Sequence, residues 1–135
     1  MFGPRMRTTL QFTYDVIAGA AAHFILMLAG VIVAMICFGK PDEGVTGLIL
    51  CVIVPFTCAG MYIAHRGVLF PRTVSMVSGA VALLVPPIVI AAYWDWNWTQ
   101  IGPDYLVTIV GLPFSVVGAH YVKQTAVADA HQPDK

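Results

Sequence analysis

Read for where polar residues are absent, the chain divides into four charge-free windows: Val16 to Gly39, Gly44 to Ala64, Thr73 to Trp94 and Tyr105 to Val122. None shows the strict alternation of a half-buried strand. Each approaches the ~20 apolar residues that cross a hydrocarbon core as a helix. A charge at the centre of such a helix costs about 2.5–3.5 kcal/mol, so four clean windows predict four transmembrane helices, at about 14–39, 44–65, 73–94 and 104–122. The connections between them are short, namely Lys40 to Glu43, His65 to Arg72 and Asp95 to Asp104. Short connections join antiparallel neighbours, and the expected fold is an all-α, integral-membrane, up-down four-helix bundle forming a single domain, with 124–135 as a polar tail.

Composition agrees with this pattern. Of 135 residues, 59% are hydrophobic and 10% charged, far below the roughly 25% charged residues of soluble domains. Seven basic and seven acidic residues cancel, so no basic face is available for nucleic acid. Arg5, Arg7, Arg66, Arg72, Lys123 and Lys135 fall on one side of the predicted membrane and only Lys40 on the other. The positive-inside rule then places both termini in the cytoplasm, and the compact loops point to a bacterial inner membrane. The first apolar run exceeds the 7–15 residues of a signal-peptide core and is expected to be retained. Tyr93, Trp94, Trp96, Trp98 and Tyr105 cluster at the outer end of helices three and four, where aromatic rings settle at headgroup level.

Two stretches resemble each other across the chain. Pro55-Phe56-Thr57-Cys58-Ala59-Gly60 and Pro113-Phe114-Ser115-Val116-Val117-Gly118 share the form P-F-[ST]-x-x-G at an offset of 58 (113 − 55), while Ile17 to Ala22 and Val77 to Ala82 match at 60 (77 − 17). Two nearly equal offsets are expected from duplication of a two-helix hairpin, with units at about 12–66 and 72–123 running in the same direction.

Pro55, Pro86, Pro87 and Pro113 lie inside these helices. Each removes a backbone donor and disturbs the carbonyl four residues earlier, at Cys51, Ala82, Leu83 and Ile109. In lipid those carbonyls need other partners, and the hydroxyls of Thr57 and Ser115 are the nearest candidates. Because Pro87 also biases Pro86 away from helical geometry, helix three is expected to break. Small-xxx-small pairs, including Gly60-x3-Ala64 and Ser115-x3-Ala119, let helix backbones approach closely.

Candidate chemistry is sparse. His23 is an ionisable group inside a predicted helix, which marks it as functional by default. His65 and His120 lie near the cytoplasmic ends, but the spacing is not that of a metal or haem site, and no cofactor is expected. Cys37, Cys51 and Cys58 form no C-x-x-C pair and read as small buried apolar residues. Asp15 can pair with Arg66 or Arg72, contributing little if exposed. No nucleophile elbow, phosphate loop or zinc-helix motif occurs, so an enzyme is not expected. The four-helix length is similar to that of the small multidrug transporters, but helix one lacks the membrane-embedded glutamate of that family, so its cation–proton exchange is not implied. The expected partners are the lipid bilayer and other membrane subunits or a second copy of the chain. Two functions fit: a noncatalytic subunit or assembly factor of a larger complex, or a small carrier or channel built on proline-broken helices. The candidate cavity or packing positions are His23, Pro55, Thr57, Gly60, Pro86, Pro87, Pro113, Ser115 and Gly118.

Overall fold

A computed structural model describes residues 3–39, 44–93 and 107–130, and among them the chain is helical with no strand. The expected aromatic belt at Trp94, Trp96, Trp98 and Tyr105, and the ring of Tyr93, lie outside the described residues.

Helix α1 (Pro4–Phe38) begins with a proline in its first turn, where the missing N–H is one that would have no helical partner. It starts ten residues before the expected boundary, because Thr9 and Thr13 return their hydroxyl protons to the carbonyls of Arg5 and Thr9 and the polar segment still completes its backbone ladder. It ends at Gly39, whose φ of 72° lets its N–H reach Met35 O at 2.9 Å. At 1.5 Å per residue α1 is about 52 Å long, well beyond a ~30 Å hydrocarbon core, so its polar first turns extend past the apolar stretch.

The second segment is wound in three pieces: α2 (Gly44–Leu48), a π turn (Ile49–Ile53) and α3 (Val54–His65). The π turn sits directly before Pro55. Val54 N–H bonds Ile49 O, and this one-residue widening accommodates a ring that would otherwise press on the preceding turn. Gly67, with φ 70°, turns the chain. Helix α4 (Pro71–Tyr93) follows and passes through Pro86 and Pro87 without leaving helical conformation. The expected break is therefore absent: a proline's fixed φ is itself a helical value, and the flanking turns carry the helix direction across the missing donors. A 3-10 turn (Val107–Val110) leads into α5 (Gly111–Ala130). The polar tail expected from residue 124 thus begins as helix, in keeping with the helix propensity of Lys123, Gln124 and the alanines beyond.

Specific contacts fix how the helices run. Moving up α3, Phe56 meets Gly111 and Gly60 meets Ser115 and Ala119 of α5, so α3 and α5 point the same way. Val16 packs with Val74, and Gly19 with Ser78, giving the same relation between α1 and α4. By contrast, Asp15 faces Arg66 while Gly30 faces Leu50, so α1 opposes α2 and α3. Arg72 meets His120 while Gly79 meets Leu112, so α4 opposes α5. Packing is most extensive between α3 and α5, with α1 set against α3 and α4.

Large apolar side chains lie on the exterior as well as in the core, where Phe56, Ile63 and Val74 are fully buried. Ile17, Phe24, Ile25, Leu28, Ile32 and Ile36 on α1 are exposed, the last at 78%, whereas His23, Ser75, Ser78 and Ser115 are fully buried. By length and composition, Arg5–Phe38 and Val45–His65 are able to cross a membrane; Pro71–Val85 is apolar but shorter. Cys37 and Cys58 lie on the exterior and only Cys51 is partly covered. The expectation that all three are buried is corrected: a thiol is apolar enough for this apolar exterior.

Candidate functional site

The centre of the bundle is a polar cluster supplied by α1, α4 and α5. His23 is held on α1 by its own helix, with Nδ1 2.8 Å from Gly19 O. A carbonyl can only accept, so Nδ1 carries a proton. The other nitrogen, Nε2, lies 2.8 Å from Ser115 Oγ on α5. In the neutral ring Nε2 is an acceptor, and Ser115 donates to it. Phe56 of α3 closes the fourth side, its ring meeting the imidazole edge-on with centroids 4.9 Å apart.

Ser75 and Ser78 on α4 complete the cluster. Ser78 donates to Ser75 O at 3.2 Å, and Ser115 Oγ lies 3.4 Å from the same carbonyl. The Ser75 hydroxyl is itself buried without a hydrogen-bond partner, an arrangement with a cost of ~1–3 kcal/mol for a buried polar group.

The cluster exists because glycines let the helices close around it. A methyl group at Gly79 would stand 3.4 Å from His23 Nε2 and 2.9 Å from a methyl of Leu112, and one at Gly19 would stand 2.8 Å from Ser78 Oγ. Between α3 and α5 the approach is closer. A methyl at Gly60 would overlap the Ser115 carbonyl oxygen, and one at Gly118 would overlap that of Thr57. The contact is reciprocal: the glycine of each P-F-[ST]-x-x-G stretch rests on the hydroxyl residue of the other.

The expected site residues therefore separate into groups. His23 and Ser115 meet directly, and Gly60, Gly118 and Thr57 form the adjoining helix crossing. Thr57 donates to Ile53 O at 2.8 Å rather than to Cys51 O, because a threonine hydroxyl reaches the carbonyl four residues back in its own helix. Ser115, expected to serve Ile109 O, instead turns inward to His23. Pro55 is buried, with its ring 3.1 Å from where a methyl at Gly30 would sit. Pro113 is exposed and lines an apolar groove with Met76, Ile109 and Val116, so the two prolines do not share a cavity. Pro86 and Pro87 lie in α4, and their side chains are outside the described residues.

The histidines do not converge. His65 is exposed at the end of α3, while His120 is flanked by Arg72 at Nδ1 and by Gln124 at Nε2. Among the described residues no group of three or more His, Cys, Asp or Glu side chains is placed to hold a metal. Ser75, Ser78, Gly19 and Gly79 are absent from the sequence-derived candidates. Their signal is there, since Ser75, Ser78, Gly79 and Ala82 follow the i, i+3, i+4, i+7 pattern of one helix face. The residue types read as packing, and nothing in the pattern points to an imidazole on another helix. No family model, characterised protein or solved structure matches the chain significantly.

Proposed function

We propose that this chain is a polytopic membrane protein with four membrane-crossing helices in an up-down bundle, both termini cytoplasmic, acting as a noncatalytic subunit or assembly factor of a larger membrane complex. The observation carrying the reading is the apolar exterior, with isoleucine, leucine and phenylalanine outward on α1, around a core in which His23, Ser75, Ser78 and Ser115 are buried among Phe56, Ile63 and Val74. Monomeric soluble proteins rarely leave contiguous apolar patches beyond a few hundred Å². In lipid an apolar exterior is neutral, and association comes from close packing and interhelical hydrogen bonds. The reciprocal seating of Gly60 and Gly118 supports the reading of a duplicated hairpin, since each half presents the same surface to the other. A bacterial inner membrane fits the compact loops.

The subunit role rests on how the interior is used. The His23–Ser115 bond and the glycine crossings occupy the middle of the bundle, and the apolar groove along α4 and α5 opens on the exterior among exposed residues. Native mass spectrometry of the protein extracted from its own membrane in mild detergent tests it. Different proteins in fixed stoichiometry with the chain support the role, and a chain found alone or only as a homo-oligomer contradicts it.

One observation favours the carrier or channel reading: a titratable imidazole buried in the core and bonded across two helices. That reading expects a solute or proton flux in proteoliposomes that changes on Pro55→Ala or His23→Phe, and it fails if there is no such flux.

A further inference from the structure

At the basic end of the bundle, a cleft of about 300 Å³ opens between the first turns of α1 and the 66–70 turn. Its walls are apolar, from Phe12, Leu69 and Phe70, and the last two are 72% and 60% exposed. Its one charged lining group is Asp15, only 8% exposed.

The carboxylate of Asp15 is thinly satisfied for a buried charge. Gln11 Nε2 donates to Oδ1 at 3.3 Å, and Arg66 Nη2 approaches the same oxygen at 3.9 Å, beyond hydrogen-bond range. Arg66 is drawn aside by two rings, its guanidinium carbon lying 5.5 Å from the centre of Tyr14 and 5.9 Å from that of Tyr62. A carboxylate offers about four acceptor sites, so most of its capacity is unused. Two neighbouring polar groups add further acceptors: Thr9 spends its proton on Arg5 O and keeps its oxygen lone pairs, and Gln11 gives one of its two amide N–H groups to Asp15 and keeps its carbonyl oxygen. The charge in the lining is negative, and it stands beside aromatic and aliphatic walls.

We propose that this cleft binds a protonated primary or secondary amine carrying an apolar body, with the ammonium on Asp15, Thr9 and Gln11 and the body against Phe12, Leu69 and Phe70. Ammonium N–H groups supply charged donors to a carboxylate that has one hydrogen bond, and a cation beside an aromatic face is favoured further. The same chemistry is offered by a small organic amine from water and by the ammonium headgroup of a membrane lipid.

The test uses the full chain purified in mild detergent and titrated calorimetrically with phenethylammonium chloride, with 2-phenylethanol and phenyltrimethylammonium as controls lacking the charge and the N–H donors. The proposal expects binding of phenethylammonium above both controls, at least a tenfold loss in Asp15→Asn, and a severalfold gain in Arg66→Gln, because that variant removes the competing cation. A structural role for the ion pair would not improve binding when Arg66 is removed. In parallel, native mass spectrometry after exposure to equal phosphatidylethanolamine and phosphatidylcholine identifies the lipid source if the former is retained in preference and the preference vanishes in Asp15→Asn. If neither phenethylammonium binding nor lipid preference depends on Asp15, or if Arg66→Gln weakens both, the proposal is overturned. Should Asp15→Asn not fold, the direction of the Arg66→Gln change decides alone.

Discussion

Replacing Ser115 with alanine tests whether the buried imidazole is held from two helices at once. The substitution removes the donor 2.8 Å from His23 Nε2 and leaves a buried acceptor, since both side chains are fully buried. Orphaning a buried polar group costs ~1–3 kcal/mol, while interhelical hydrogen bonds in membranes average about 0.6 and reach about 1.7 kcal/mol. Full burial of both side chains puts Ser115→Ala near the upper membrane figure, about 1.5 kcal/mol, or roughly tenfold in the unfolding equilibrium. His23→Phe keeps an aromatic ring against Phe56 but adds bulk beside Gly79, and overpacking there costs ~1–3 kcal/mol on its own. In the double variant the orphaned nitrogen no longer exists, so its destabilisation falls short of the two single effects combined by about 1 kcal/mol or more. The assay is unfolding in mixed micelles with increasing dodecyl sulfate, followed by circular dichroism for the parent, both single variants and the double variant. Additivity within about 0.5 kcal/mol would refute the reasoning.

The glycine crossing makes a second demand. Gly60→Ala and Gly118→Ala each force α3 and α5 apart against a backbone carbonyl, and each is expected to lower stability by ~1–3 kcal/mol in the same unfolding assay. The double variant is expected to cost less than both singles combined, since the first separation relieves the second. Pro113→Ala, at an exposed position in the first turn of α5, is expected to stay within about 0.5 kcal/mol of the parent. Pro55→Ala restores an N–H beside the π turn but removes a buried ring near Gly30. Hydrogen exchange of the Ile49–Ile53 amides should therefore change in that variant and remain unchanged in Pro113→Ala.

Much of this architecture was legible in the chain, because excluding charge from an apolar segment is a one-dimensional signal. The ends of the second segment at Gly44 and His65 match the charge-free window to within a residue. The early start of α1 at Pro4 and the late end of α5 at Ala130 were not legible from hydropathy, which sees the apolar run and not the polar helix that continues it. Helix continuity through Pro86 and Pro87 was hidden for a different reason: proline's local bias is clear, but the turns around it decide whether the bias is obeyed. At the polar site, His23 stood out as the one ionisable residue deep in a helix. Its partner Ser115 was assigned to a proline-disturbed carbonyl, because sequence carries no information on the rotation of α5 about its own axis. Ser75, Ser78 and the burial of Asp15 depend on the same unseen rotation, and a polar residue facing a helix reads from sequence much as one facing water.

The central claim is that the apolar exterior of this bundle faces hydrocarbon rather than water, and Cys58 tests it most directly. It is exposed on α3, about 10 Å from the helix end at His65 at the standard rise per residue. In a variant retaining only that cysteine, with Cys37 and Cys51 replaced by serine, a charged maleimide applied to both sides of intact membranes should leave Cys58 unmodified, and the same reagent should label it fully after dissolution in dodecyl sulfate. Labelling in intact membranes as fast as in dodecyl sulfate would place this surface in water and contradict the account.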